Sequence, residues 1–186
     1  IFNWKTLREA FKALENQPAL DFGKHIIPYC HEKGAPLYAY EFNGYWKDVG
    51  TLNSYWEANM ELIDIVPEFN LYEEYWKIYT KSDALPPQYL SWDSVVERSI
   101  IGEGTEIYGK VYSSVIGCGV TIGEGTIVRD SIIMNSVEIG AGCELNKAII
   151  AENVVVGNNV RLGIGEEVQN DTAPHIYSHG IVTIGR

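Results

Sequence analysis

The sequence lacks a long hydrophobic run. No apolar stretch approaches the roughly 18 to 20 residues that a membrane-spanning helix requires, and no basic segment followed by an apolar one opens the chain. We therefore expect neither a membrane protein nor a secreted precursor, but a cytoplasmic protein without a membrane partner. A starting methionine is also lacking, since the chain opens on Ile1, and we expect a piece of a longer protein.

Basic residues and cysteines are scarce. The 186 residues include 14 Lys and Arg against 25 Asp and Glu, for a net charge of −11. This balance argues against a nucleic-acid partner, because phosphate backbones are bound mainly by clustered Lys and Arg. Cys30, Cys118 and Cys143 lie far apart and form no Cys-x-x-Cys motif, so neither a zinc site nor a disulfide framework is indicated.

Aromatic residues and glycines are distributed unevenly along the chain. Residues 1–90 hold 18 of the 22 aromatic residues, whereas 12 of the 18 glycines lie between Gly102 and Gly165. The two parts therefore have different packing styles, which predicts two architectures.

The glycine-rich part contains internal repeats. Four segments align, beginning at Ser99, Ser114, Ser131 and Ala148, with spacings of 15, 17 and 17 residues. An aliphatic residue recurs near every sixth position: Ile101, Ile107, Ile116, Ile122, Val128, Ile133, Ile139, Leu145, Ile150, Val156 and Leu162. A period of six fits neither an amphipathic helix nor a single half-buried strand. It predicts coils with three short sides, one inward aliphatic residue per side, and glycines at corners where φ is positive.

These repeats resemble the hexapeptide-repeat family, whose coils form a left-handed parallel β-helix. The left-handed sense is implied by the family alone, and it departs from the usual right-handed crossover. We expect the β-helix over residues 95–165, followed by a C-terminal segment, 166–186. Its aliphatic ladder is expected to be a core, and its coils a scaffold.

Residues 1–80 read as an α/β region. The spacing of four apolar residues predicts a first helix: Leu7, Ala10, Phe11 and Leu14. A second helix is predicted near residues 24–33, ending at Gly34, and residues 37–42 alternate in the manner of a strand. Thr51 is a predicted N-cap of a third helix that Pro67 ends. Residues 81–94 are a predicted linker.

One carboxylate in this region has geometry suited to chemistry. Asp48 lies between Lys47 and a glycine turn, just ahead of a predicted helix N-terminus. Such a helix end favours an anion, and aspartate binds hard divalent cations through oxygen. An aspartate in a glycine-containing loop is also commonly a turn or capping residue, and the spacing alone leaves both readings open.

The wording of several motifs narrows this choice. They are Asp21-Phe-Gly-Lys-His-Ile-Ile-Pro28, Leu37-Tyr-Ala-Tyr40, Gly44-Tyr-Trp-Lys-Asp-Val-Gly-Thr51 and Trp56-Glu-Ala-Asn-Met60. Together with the repeats, they resemble the bacterial glucose-1-phosphate adenylyltransferases, also called ADP-glucose pyrophosphorylases, over nearly the whole chain. The resemblance implies a nucleotidyltransferase catalytic domain ending near residue 80, followed by the β-helix.

The resemblance also implies an activity and site residues. The family makes ADP-glucose and pyrophosphate from ATP and glucose 1-phosphate, for glycogen synthesis. Asp48 matches one of two aspartates that hold Mg²⁺, while Trp46 and Lys47 flank it and are expected to shape the sugar-phosphate pocket. For Trp46, a role in packing is an equal alternative. Arg186 falls where some members bind an activator. Family members are commonly tetramers that respond to sugar-phosphate or nucleotide effectors.

Three family motifs are missing from the sequence: the glycine-rich nucleotide loop, the first metal-binding aspartate segment and the Glu-Lys-Pro segment. We therefore expect the C-terminal portion of the enzyme, without the ATP site and inactive by itself. Three alternatives remain. They are a noncatalytic regulatory or assembly subunit, a pyrophosphorylase that uses another base, and a hexapeptide acyltransferase. The last normally needs a histidine base, and residues 91–163 contain no histidine.

Overall fold

The computed structural model describes residues 1–77, 79–81, 84–165 and 179–185. The chain divides into two compact units, Ile1–Gly44 and Tyr45–Arg186. This division differs from the predicted limit at residue 80, because the segment from Tyr45 contacts the strands that follow it. None of the helices in the described ranges is long and apolar enough to cross a membrane.

The first unit is built from helices. Helix α1 (Trp4–Ala13) begins at Asn3, whose side chain accepts a hydrogen bond from the Lys5 N–H at 3.0 Å, the usual way of satisfying a free N–H at a helix start. A π-helical turn, Phe22–Ile26, leads directly into helix α2 (Ile27–Glu32). Both predicted helices are thus confirmed, although the second begins two residues earlier than predicted.

The buried core of the first unit is small. Only Ala10, Ile26 and Cys30 are fully buried there among the described residues. The strand predicted over residues 37–42 is wrong, because none forms there and Tyr38 and Tyr40 are 92% and 87% exposed. A strand needs a partner for its backbone groups, and no described segment pairs with these residues.

Helix α3 (Leu52–Glu61) opens the second unit. Thr51 is its N-cap, as predicted: its hydroxyl accepts from the Ser54 N–H, and the Ser54 hydroxyl accepts from the Thr51 N–H, both at 3.1 Å. This reciprocal pair is a capping box. The helix ends at Glu61, earlier than the predicted stop at Pro67.

Fifteen short strands follow in the described part of the chain. They are β1 (Tyr89–Leu90), β2 (Val95–Glu97), β3 (Ile100–Ile101), β4 (Glu106–Ile107), β5 (Lys110–Tyr112), β6 (Val115–Ile116), β7 (Thr121–Ile122), β8 (Ile127–Arg129), β9 (Ile132–Ile133), β10 (Glu138–Ile139), β11 (Glu144–Asn146), β12 (Ala148–Ile150), β13 (Val155–Val156), β14 (Arg161–Leu162) and β15 (Val182–Ile184). Each of the first twelve pairs in parallel with the strand one coil later, giving three five-stranded sheets. The parallel β-helix is therefore confirmed.

The strand register reproduces the repeat spacings. Ile101 pairs with Ile116, Ile116 with Ile133, and Ile133 with Ile150. The predicted inward aliphatics from Ile107 to Val156 are all buried, whereas the first and last, Ile101 and Leu162, are half-buried. Among the described residues, each of these two strands has a paired strand on one side only, which explains the difference.

A hydroxyl ladder runs beside this aliphatic core. The Ser114 N–H donates to Ser99 Oγ at 3.1 Å, the Ser131 N–H to Ser114 Oγ at 3.1 Å, and the Ala148 N–H to Ser131 Oγ at 3.0 Å. The serines that open the aligned repeats therefore connect consecutive coils.

The corners of the coils are of two kinds. Gly104, Gly125 and Gly142 have φ values of +69°, +69° and +68°, as predicted for glycine corners. A second kind uses no glycine: Arg98, Ser113, Asp130 and Lys147 have φ values of 49°, 46°, 47° and 50°. We call these four residues the left-handed corner.

Hydrogen bonds hold the left-handed corner in this conformation. The N–H groups of Ser113, Asp130 and Lys147 donate to carbonyl groups of the preceding coil at 3.0 to 3.1 Å. Such bonds offset the cost of positive φ in residues other than glycine.

Strand pairing extends past both predicted limits of the β-helix. Strand β1 lies inside the predicted linker, 81–94, and pairs with β4. Strand β15 lies inside the predicted C-terminal segment and pairs with β12. Neither segment belongs to the four aligned repeats, so the alignment does not reveal them.

Candidate functional site

The candidate site is the loop from Tyr45 to Thr51, which leads into helix α3. Exposure alternates along its first four residues: Tyr45 and Lys47 are half-buried, whereas Trp46 and Asp48 are exposed. In a near-extended backbone, successive side chains point to opposite sides. The loop therefore presents Trp46 and Asp48 outward and the other two side chains inward.

Asp48 is an exposed carboxylate in a turn. Its Oδ1 accepts a hydrogen bond from the Gly50 N–H at 3.0 Å, and Oδ2 has no hydrogen-bond partner among the described residues. Asp48 is thus a turn residue, one of the two roles that the sequence left open. Its second carboxylate oxygen remains available for a ligand.

Trp46 lies beside this carboxylate in the chain. Its ring is 75% exposed, so the described part of the chain does not use it for packing. An exposed indole can stack on the face of a sugar or a base.

Lys47 contacts helix α3. Its Nζ forms ion pairs with Glu61 Oε1 and, at 3.4 Å, with Glu57 Oε2. Residues four apart lie on one face of a helix, so both carboxylates face the same lysine. The Tyr45 hydroxyl donates to Glu61 Oε2 at 3.1 Å, and the Tyr45 ring stacks on Phe69 with centroids 5.3 Å apart.

These contacts shift the acidity of the groups involved. The hydrogen bond from Lys47 holds the pKa of Glu61 below its ordinary value, and the same bond raises the pKa of Lys47. Desolvation, followed by the Glu61 hydrogen bond, raises the pKa of Tyr45. Lys47 and Glu61 are therefore both charged at neutral pH, and Tyr45 keeps its proton.

Helix α3 packs on the β-helix through a neighbouring face. Trp56 Nε1 donates to the Asp130 backbone carbonyl at 2.7 Å, and Lys147 Nζ lies 5.0 Å from the Trp56 ring centroid. Trp56 and Met60 belong to one apolar cluster with residues of the β-helix. Its members are Tyr55, Trp56, Met60, Ile132, Met134, Ile149 and Ile181.

A cavity of about 340 Å³ opens between helix α3 and the left-handed corner. Its polar rim includes Arg98, which donates to Asp64 Oδ1 at 2.9 Å. Its apolar wall includes Trp56 and Met60. Glu57 and Glu61 line the same cavity, so the two carboxylates that contact Lys47 also face the left-handed corner.

The donor set around Asp48 suits Mg²⁺ only in part. No group of three or more His, Cys, Asp or Glu side chains that could hold a metal ion occurs within the described ranges. Mg²⁺ is commonly held by one or two carboxylates together with water and substrate phosphates. Asp48 Oδ2 fits one such position, and the remaining positions would be filled from outside this loop.

Sequence reasoning missed Glu57 and Glu61. Each directly follows an apolar residue of the helix, so the sequence pattern indicates a solvent-exposed charge on an amphipathic helix. The signal that could have found them is their spacing of four residues together with a lysine in the preceding loop. The predicted effector residue, Arg186, lies outside the described residues.

Comparison with known families agrees with this architecture. Residues 90–184 match the family model described as "GlmU-like, C-terminal hexapeptide". The chain belongs to this GlmU-like hexapeptide family. Ahead of its hexapeptide region, residues 1–65 match the family model described as "Nucleotidyl transferase".

Curated relatives of this GlmU-like hexapeptide chain share one name. A glucose-1-phosphate adenylyltransferase of Lachnospira eligens is 62% identical over 185 residues, covering 100% of this chain and 44% of the relative. The enzymes of the same name from Acetivibrio thermocellus and Thermosipho melanesiensis are 47% and 49% identical, covering 100% of the chain and 44% and 45% of the relatives. The resemblance to the adenylyltransferases is thus confirmed, and the chain spans less than half the length of these relatives.

Proposed function

We propose that the chain is part of a glucose-1-phosphate adenylyltransferase, which makes ADP-glucose and pyrophosphate from ATP and glucose 1-phosphate. The names of the relatives and the nucleotidyl transferase match support this assignment. The single structural observation that carries it is the outward pair in the loop: an exposed carboxylate with one uncommitted oxygen, beside an exposed indole.

The proposed reaction is an in-line displacement at phosphorus. A phosphate oxygen of glucose 1-phosphate forms a bond to the α-phosphorus of ATP. The bond from that phosphorus to the oxygen bridging to the β-phosphate breaks, and pyrophosphate leaves. Negative charge accumulates on the phosphate oxygens, so catalysis depends on positioning and charge neutralisation.

The loop supplies a ligand and a wall for this reaction. Mg²⁺, when bound, neutralises part of the phosphate charge, and Asp48 Oδ2 is its proposed ligand in this chain. The exposed face of Trp46 is the proposed wall of the sugar-phosphate pocket. Lys47 lies on the inward side of the loop, where its Nζ is shared with two carboxylates, so its proposed part is to support that wall and not to contact the substrate.

The substitution Asp48→Asn tests this proposal. The whole chain is grafted in place of the matching part of the Lachnospira eligens relative, which aligns over 185 residues. Removing the charge while keeping the shape should lower kcat for ADP-glucose formation by about 100-fold, because only the charged oxygen holds a hard cation well. The measurement is pyrophosphate release at saturating ATP and Mg²⁺.

Asp93→Asn is the matched control. Asp93 is exposed, and its side chain forms no hydrogen bond or ion pair within the described ranges, so kcat should change less than about twofold. Unchanged turnover in the folded Asp48→Asn graft would contradict the proposal and favour a noncatalytic regulatory or assembly role. Detectable ADP-glucose synthesis by the 186-residue chain alone would contradict its predicted inactivity.

A further inference from the structure

We propose that Glu61 is a positioning residue: its single carboxylate holds Tyr45 and Lys47 together, and thereby fixes the outward placement of Trp46 and Asp48. The inference rests on the proposed function for its kinetic consequence, but not for its structural one. It is carried by the contacts of the loop with helix α3.

The two oxygens of Glu61 bind two different loop residues. Oε2 accepts from the Tyr45 hydroxyl, and Oε1 accepts from Lys47 Nζ. Tyr45 and Lys47 are two residues apart, and their shared contact with Glu61 places both side chains on the same side of the segment. One carboxylate therefore fixes which side of the loop faces the helix.

The rotation of the segment determines where the alternate residues lie. With Tyr45 and Lys47 turned toward helix α3, Trp46 and Asp48 must turn away from it, as their exposure shows. A rotation of the loop about its own axis would exchange the two pairs. Glu61 opposes that rotation at two points, which a single contact could not do.

Glu57 reinforces the same arrangement. Its Oε2 lies 3.4 Å from Lys47 Nζ, and the lysine side chain is only 25% exposed, against 45% and 41% for the two glutamates. Isolated surface ion pairs contribute little. A lysine shared between two carboxylates one helical turn apart loses its side-chain rotational freedom only once and gains two ion pairs. The entropic cost per ion pair is therefore lower than for an isolated pair.

The helix that carries Glu61 is itself fixed. Its neighbouring face packs on the β-helix, with Trp56 Nε1 donating to the Asp130 carbonyl. Helix α3 therefore connects the loop to the β-helix. A misplacement of about 1 Å in a catalytic group can cost about 100-fold in rate, so this anchoring bears directly on Asp48.

The first test measures backbone order in the 186-residue chain by NMR relaxation. In Glu57→Gln/Glu61→Gln, the amide order parameters of Asp48 and Gly50 should fall from about 0.85 to below about 0.6. Circular dichroism should show helix α3 retained. The charge swap Lys47→Glu/Glu61→Lys, made together with Glu57→Gln so that no like charge faces position 47, should restore the order, because it re-forms the ion pair with opposite signs. Glu138→Gln, an exposed glutamate without a side-chain partner in the described ranges, is the matched control.

The second test measures kinetics in the Lachnospira eligens graft. Glu61→Gln should lower kcat about tenfold while KM for glucose 1-phosphate stays within about twofold, because the change displaces a group rather than removing a substrate contact. A rise in KM without a fall in kcat would overturn the positioning role, as would unchanged loop order in the double variant. The proposed function fails separately, on unchanged turnover in Asp48→Asn, and that result leaves the loop-order test standing.

Discussion

The β-helix and the first unit, Ile1–Gly44, differ in how they obtain partners for their apolar residues. In the β-helix, each inward aliphatic residue is covered by its counterpart one coil away, 15 or 17 residues along the chain. In the first unit, three residues are fully buried within the described ranges, while Tyr38 and Tyr40 are almost fully exposed. In a repeat, the residue that covers each apolar side chain comes from the next coil of the same repeat. In a helical segment, that residue comes from another part of the chain.

This contrast can be tested most strongly in the two cores. Ile133→Ala should destabilise the β-helix by about 4 kcal/mol, because the stacked coils on both sides cannot collapse into the cavity. Ile26→Ala, at an equally buried position in the first unit, should cost only about 2 kcal/mol, since its small cluster can relax. Denaturant unfolding followed by far-UV circular dichroism gives both values.

Ile133→Val is the control for these cavity variants. It keeps the β-branch and removes one methyl group, so a loss of about 1 kcal/mol is expected. Equal losses for Ile133→Ala and Ile26→Ala would show that the two cores relax alike, and the contrast would fail.

A smaller loss of stability is expected when a methyl group is added to a glycine between two coils, and almost none at the equivalent glycine of the last coil. A Cβ on Gly123 would lie 2.6 Å from the Gly140 carbonyl carbon, a backbone atom that cannot move away without shifting a coil. Gly123→Ala should therefore cost about 2 to 3 kcal/mol. Thermal unfolding of the purified variant measures the loss.

Gly157→Ala supplies the matched comparison. Gly157 follows Gly140 by one repeat of 17 residues, and no atom of the described residues lies within 4 Å of a Cβ built there. The substitution should change stability by less than about 0.5 kcal/mol. A loss as large as that of Gly123→Ala would mean that backbone clash between coils is not the cause.

The smallest expected effect concerns the hydroxyl ladder. Ser131→Ala removes the acceptor of the buried Ala148 N–H, and an unpaired buried donor costs about 1 to 2 kcal/mol. Ser99→Ala, at the half-buried first step of the ladder, should cost less than about 1 kcal/mol. If hydrogen exchange at Ala148 is not faster in Ser131→Ala than in the parent chain, the ladder contributes nothing measurable.

The sequence predicts the β-helix almost residue by residue, because its period is set by local spacing. Ile107 and Val156 are buried as predicted, and the pairing of Ile116 with Ile133 follows from the repeat interval. The left-handed corner was not predicted. Its positive φ values accompany hydrogen bonds that its N–H groups donate to the preceding coil, and the residue types at the corner do not indicate them.

The helical part was predictable only where the signal is local. Thr51 caps helix α3 as its side-chain chemistry suggests. The strand predicted over residues 37–42 was wrong, because alternation specifies a strand only when a neighbour supplies hydrogen bonds. The contacts of Glu61 with Tyr45 and Lys47 were missed for a similar reason. They join residues 14 to 16 apart in the chain, and no repeat in the sequence indicates them.

The Trp56 contact with the β-helix has a consequence for how the sequence can change over time. The indole binds the backbone carbonyl of Asp130, not its side chain. Every coil offers a comparable carbonyl at this corner, and coils repeat at about 4.8 Å. The Asp130 side chain can therefore change in charge and size without removing this hydrogen bond. The insertion or loss of a whole 17-residue coil, by contrast, would move the anchoring point in one discrete step.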